Sequence, residues 1–186
     1  MLVKKPLPEA DYLRKVLSYD ADTGTLTWLA RPREHFKTEV AFIRWNKLHV
    51  GRPAFASVQK SGGYATGALD GKGYYGHRIV WKHVHGLIPD GAEIDHINGV
   101  RHDNRLCNLR TVSRLENTQN RKIRSDCKHG FHGIHWHDQC QKWKVSICSN
   151  KKRIYIGVFA DFDEAVAARR SAEIKYGFHP NHGRDG

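Results

Sequence analysis

Apolar residues in the first part of the chain fall at helical spacing only once. Leu13, Val16 and Leu17 make a stripe that predicts a short helix over residues 10–19. The Asp20-Ala-Asp-Thr-Gly24 run supplies turn chemistry, and residues 25–29 then read as a strand. From 31 to 60 no period emerges among scattered Trp, His and basic residues, so no element is assigned there. Residues 64–69 and 74–79 flank Asp70-Gly-Lys-Gly73 and predict a β-hairpin, with a short helix over 80–85. Further on, a strand over 93–96 is cut off by Ile97-Asn98-Gly99, and a second runs over 109–112. Ser113-Arg-Leu-Glu116 matches a capping box, which predicts a helix from Ser113 to about Arg121.

After a basic, loop-like stretch at 121–130 the period changes to two. Ile134, Trp136, Trp143, Val145, Ile147, Ile154, Ile156 and Val158 fall on one face, and His135, Lys142, Lys144, Ser146, Arg153 and Tyr155 on the other. This predicts a three-stranded antiparallel sheet with one apolar and one basic face. Asp161-Phe-Asp-Glu164 can cap a closing helix, whose stripe of Ala165, Ala168, Ala172 and Tyr176 would cover the apolar face and leave the basic one free. The pattern therefore implies an α+β chain in two parts: residues 1–120, a linker over 121–130, and a sheet-and-helix domain over 131–186.

Charge narrows the partners. The chain has 186 residues, 31 Lys+Arg against 19 Asp+Glu, and a formal net charge of +12. Such an excess favours a polyanion, because each phosphate neutralised releases condensed counterions, and double-stranded DNA is the leading partner. Between Arg121 and Arg153 nine basic residues stand against two acidic ones, which favours DNA contact over a merely solvated face. Mean hydropathy is −0.64 and no apolar run approaches a membrane span, so no membrane partner is expected. The N-terminus lacks the pattern of a secretory signal, which implies a reducing cytoplasm and no disulfides. Cys107, Cys127, Cys140 and Cys148 include no CxxC pair, so structural zinc is not expected.

The richest chemistry lies in 93–120, EIDHINGVRHDNRLCNLRTVSRLENTQN. Hydrolysis of a phosphodiester needs a base for water, a Lewis acid for the developing charge, and something to hold the base. A histidine is the side chain suited to the first task at neutral pH, and a carboxylate with an amide can hold a hard cation. In a regular strand Asp95 and His96 would face opposite ways, so both serve one centre only if the strand ends there. Asn117, one turn inside the helix, can approach the same centre. Asn98, Asp103 and Asn104 read as loop-shaping residues, and His77 as either structural or a phosphate contact.

Here the chain resembles the HNH, or ββα-metal, endonucleases, most closely those of the phage and intron-homing type. Asp95-His96-Ile-Asn98-Gly99, Asp103-Asn104-Arg105, Asn108-Leu109-Arg110 and Glu116-Asn117 carry the likeness, and it extends to His77-Arg-Ile-Val-Trp81 as a strand-to-helix lead-in. The resemblance implies a ββα-metal module in which His96 is the general base and Asn108 orients it. It also implies that Asp95 and Asn117 bind one metal, Mg²⁺ or Mn²⁺. Asn117 stands where many such proteins have a final His.

Residues 126–184 resemble the Apetala-two/ethylene-response-factor domain, on Gly133-Ile-His-Trp136, Lys142-Trp-Lys-Val145, Arg153-Ile-Tyr-Ile-Gly-Val-Phe159 and Asp163-Glu-Ala-Val-Ala-Ala168. That likeness implies a sheet laid in the DNA major groove through His135, Lys142, Lys144, Arg153 and Tyr155, with His132 and His135 where Arg is usual. The reading is a metal-dependent endonuclease with site preference. Its alternatives are a non-catalytic DNA-binding regulator and a structured-RNA binder.

Overall fold

In the computed structural model, residues 6–119, 131–149 and 152–178 are described; the predicted linker lies outside them. The chain divides into two compact units, Met1–Val112 and Ser113–Gly186. The architecture is mixed α/β, built from small sheets.

The first unit opens with α1 (Ala10–Val16), β1 (Leu17–Asp20) and β2 (Thr25–Trp28). The predicted helix is therefore three residues too long, because Leu17 already pairs with Trp28 across an antiparallel hairpin. Asp20 closes that hairpin, its carboxylate accepting from the amides of Asp22 and Thr23 in an Asx turn. The unassigned stretch contains α2 (Glu39–His49), β3 (Pro53–Ala54) and β4 (Ser57–Val58). Its helix buries no residue fully, which is why it leaves no apolar period. Asn46 instead ties it down, bonding both the amide and the carbonyl of Arg31.

Next come β5 (Ala65–Leu69), β6 (Lys72–Tyr75) and α3 (Gly76–His85). The hairpin turns on two residues, Asp70 and Gly71, both with positive φ. Lys72 is therefore already in the strand, β6 is finished by Tyr75, and residues 76–79 are helical where a strand was predicted. The HRIVW segment lies wholly on this helix, burying Ile79 and Val80 at 0% exposure. Finally β7 (Ala92–His96) pairs with β8 (Leu109–Ser113). Leu13, Val16, Leu17, Leu26, Leu69, Ile79 and Val80 form the centre of the core. Truncating any of these leucines or Ile79 to Ala would cost about 2–5 kcal/mol.

The second unit begins with α4 (Arg114–Gln119). Its capping box is reciprocal: the Ser113 amide donates to the Glu116 carboxylate, and the Glu116 amide to the Ser113 hydroxyl. Strands β9 (Ile134–His137), β10 (Lys142–Ser149) and β11 (Lys152–Phe159) form an antiparallel sheet in the order β11-β10-β9. Packed on it is α5 (Phe162–Lys175), where Asp161 caps by accepting from the Glu164 amide at 3.0 Å. A register shift beside Ser146 changes the phase of β11. Val158, expected on the apolar face, is consequently opposite Lys144 and exposed, while Phe159 joins the core. Ser146, expected on the basic face, is buried. The buried stripe of α5 is Ala165, Arg169 and Ala172, so a charged residue lies where sequence pattern pointed to Ala168. Arg169 is satisfied there by the Ser146 carbonyl at 2.7 Å and the Glu173 carboxylate at 2.9 Å.

Candidate active site

Strand β7 ends at His96, and the chain turns at once: the Gly99 amide donates to the His96 carbonyl at 3.0 Å. The strand end that a shared Asp95-His96 centre requires is therefore present. His96 is buried, at 3% exposure, while Asp95 is half-buried. Arg110 on β8 donates to Oδ2 of Asp95 at 3.0 Å, and among the described residues Oδ1 accepts no hydrogen bond.

Nε2 of His96 donates to Oδ1 of Asn104 at 3.3 Å. A carbonyl oxygen only accepts, so the ring carries its proton on Nε2 and keeps the Nδ1 lone pair for chemistry. Burial lowers the pKa of His96, assisted by Arg101 and opposed by the Asn104 bond and by Asp95 and Asp103. The net effect keeps the imidazole neutral at pH 7, the form a general base needs.

Asn104 itself is closely held. The Tyr19 hydroxyl donates to its backbone carbonyl at 3.0 Å. Gly24, at φ +72°, packs so tightly on the next peptide that a Cβ there would meet Arg105 N at 2.4 Å. A Cβ on Gly76 would meet Nδ2 of Asn104 at 2.9 Å. Tyr19 and Gly24 thus hold the backbone at Asn104, and Gly76 leaves room for its side-chain amide. Sequence reasoning placed Asn104 among the loop-shaping residues; its polar contact with His96 is a tertiary feature that the Asp-Asn-Arg triplet does not announce.

Asn108, predicted to orient the base, has its amide engaged by the loop: Oδ1 accepts from the Asn98 amide at 2.9 Å, and Nδ2 donates to the Asp103 carbonyl at 2.8 Å. These bonds hold the ends of the loop between β7 and β8 together. Asp103 in turn grips Arg105 through both carboxylate oxygens, and those bonds push its pKa well below the carboxylate range.

Aromatic rings lie beside His96. His77, the second residue of α3, lies edge-on to His96 with centroids 4.9 Å apart, and Tyr64 is 6.0 Å from His96 and 5.3 Å from His77. His77 is buried, and its Nδ1 has no partner among the described residues. Burial first, then the charges of His96 and Arg78, push its pKa down to about 3. Arg101 lies over the Tyr64 ring at 4.9 Å. His96, Asn104, His77, Tyr64 and Arg101 therefore form one cluster in the first unit, whereas Asn117 lies half-buried on α4 in the second.

Residues 74–119 match the HNH endonuclease family.

The HNH match contains Asp95, His96, Asn104, Asn108 and Asn117 as well as His77 and Arg101. Over 77 residues, 41% of this chain, the sequence is 32% identical to Protein 3.8 of Escherichia phage T7. The match spans 64% of that relative's length. Among solved structures, one reported as DNA binding and cleavage by the HNH homing endonuclease I-HmuI aligns at a TM-score of 0.42 and 17% identity. That alignment covers 94% of this chain and 93% of the other.

Among the described residues, no group of three or more His, Cys, Asp or Glu side chains could hold a metal ion, and no helix is long and apolar enough to cross a membrane. The oxygen of Asp95 that Arg110 leaves free is a hard donor, of a type suited to Mg²⁺ or Mn²⁺ and poor for zinc.

In the second unit the predicted nucleic-acid residues share a face. His135 is opposite Lys144, Arg153 opposite Cys148, and Tyr155 opposite Ser146; His135, Lys142, Lys144, Arg153 and Tyr155 are all exposed. The Lys144 ammonium lies 5.8 Å from the Tyr155 ring. Sequence reasoning missed exposed Val158 on this face, because only the register shift puts it there.

Proposed function

We propose that this protein is a metal-dependent DNA endonuclease of the HNH, ββα-metal type that hydrolyses phosphodiester bonds with site preference. The observation that carries the reading is the placing of His96: buried, with Nε2 bonded to Asn104, and next to Asp95 inside the HNH match. Nδ1 of His96 would accept a proton from water as that water attacks phosphorus. Asn104 would fix the tautomer and ring plane, and the Asn108 bonds would keep the loop carrying Asn104 closed. Asp95 and Asn117 would hold Mg²⁺ or Mn²⁺. When bound, such an ion supplies Lewis-acid stabilisation of charge on the phosphate and the leaving 3′-oxygen.

The basic sheet of the second unit would hold the duplex. Its Apetala-two-like strands present Lys142, Lys144, Arg153, His135 and Tyr155 on an exposed face, in keeping with major-groove or phosphate contact. Supercoiled plasmid incubated with Mg²⁺ tests the reading. Nicking that stops in EDTA and disappears in His96→Ala, while DNA affinity is retained, is the expected result. A wild-type chain that binds DNA and never nicks it with Mg²⁺ or Mn²⁺ would point to a DNA-binding regulator instead.

A further inference from the structure

Three arginines follow His96 in the first unit, and two are committed. Arg105 is held by Asp103 and Arg110 by Asp95. Arg101 has no carboxylate partner among the described residues. It is nevertheless half-buried and fixed in place: Nη1 donates to the Gly62 carbonyl at 3.0 Å, and the guanidinium carbon lies 4.9 Å from the centre of the Tyr64 ring. Tyr64 is also a ring neighbour of His96. The base and the unpaired guanidinium thus share a wall.

A guanidinium has five N–H donors, and the Gly62 bond uses one. The rest form a planar fork suited to two oxygens of a phosphate, and the aromatic ring beneath restrains that plane. Asp95 and Asp103 are held by other arginines, and Arg101 makes no ion pair among the described residues, which leaves its charge available for an anion.

We propose that Arg101 clamps the scissile phosphate, contacting the non-bridging oxygens as water activated by His96 attacks. Resting on the nuclease reading, this adds a substrate-touching residue that the Asp-His-Asn motif does not specify. The guanidinium offsets charge that grows on the phosphoryl oxygens in the transition state, so its contribution falls mainly on turnover.

The test compares full-length wild type, Arg101→Ala and Arg101→Lys in plasmid nicking with Mg²⁺, with and without added guanidinium ion. Arg101→Ala is expected to lower kcat about 100-fold with a smaller change in KM, at an unchanged melting temperature. Guanidinium should restore part of that rate, and Arg101→Lys should recover less than Arg, because an ammonium cannot form the fork. Arg101→Ala cutting within about 3-fold of wild type, or a lost rate that guanidinium does not recover, would overturn the clamp. A wild type that nicks nothing would count against the nuclease reading alone. Arg101 would then be judged by DNA binding, where loss of one phosphate contact flattens the slope of log affinity against log salt by about 0.9 and an unchanged slope rejects the contact.

Discussion

Asn104 accepts a hydrogen bond from His96 at 3.3 Å, while Asn108, four residues further on, spends its whole amide on the loop backbone. Two asparagines of similar sequence context thus hold different things, one a ring and the other a chain. Asn104→Ala should therefore lower kcat about 10- to 100-fold through loss of tautomer and orientation, with little change in DNA affinity. Asn108→Ala should act on stability, leaving the Asn98 amide and Asp103 carbonyl without their partner at a cost of about 1–3 kcal/mol. Urea unfolding alongside nicking kinetics separates the two, and the assignment fails if the effects are exchanged.

Acid should destabilise the first unit through its buried imidazoles. His77 and His96 have pKa values lowered by burial, His77 to about 3, whereas in an unfolded chain a histidine titrates near 6.5. Below that value the unfolded state binds protons that the folded state refuses, so stability falls as pH falls. For His77 alone the loss between pH 6.5 and 4.5 is about 2 kcal/mol. Above pH 6.5 both states are neutral and the effect vanishes. Urea midpoints measured from pH 7.5 to 4.5 should show this slope, and His77→Phe should flatten it; parallel curves would contradict the burial argument.

Arg169→Leu should loosen the second unit. The substitution strips the Ser146 carbonyl of its donor and leaves Glu173 unpaired by Arg169, a loss of about 2–4 kcal/mol. Gly133→Ala should act on the same place, because a Cβ would meet the Ser146 oxygen at 2.2 Å with φ at +77°. Hydrogen exchange at the β10 amides is the direct readout, and it should rise in both variants. Protection equal to wild type would mean that the buried arginine is dispensable.

Replacing Lys142, Lys144 and Arg153 together should flatten the salt slope of DNA binding by about 3 if all three meet phosphates. Should one of them read a base edge, the variant also loses about 1–3 kcal/mol of discrimination between sequences. No change in either quantity would leave recognition to the first unit.

Local pattern was enough to read several parts of this protein. The capping box at Ser113, the N-cap at Asp161, the Asp70-Gly71 turn and the end of β7 at His96 depend on residues within a few positions of one another, so short-range hydrogen bonding and φ preferences decide them. The Asp95-His96 pair and the exposed basic positions of β9 to β11 were visible for the same reason. Helix α2 was not, since it packs through Phe42, Trp45 and the Asn46–Arg31 bonds rather than a continuous apolar stripe. The phase of Val158 depends on a register shift set by pairing with another strand, and buried Arg169 on a carbonyl 23 residues away. Asn104 gains its place beside His96 from Tyr19, Gly24 and Gly76, and Arg101 gains its own from Gly62 and Tyr64. Residue type and spacing determined which groups could do chemistry; long-range packing decided which of them lie beside His96, because a side chain's partner across the fold is set by the geometry of elements that sequence proximity does not encode.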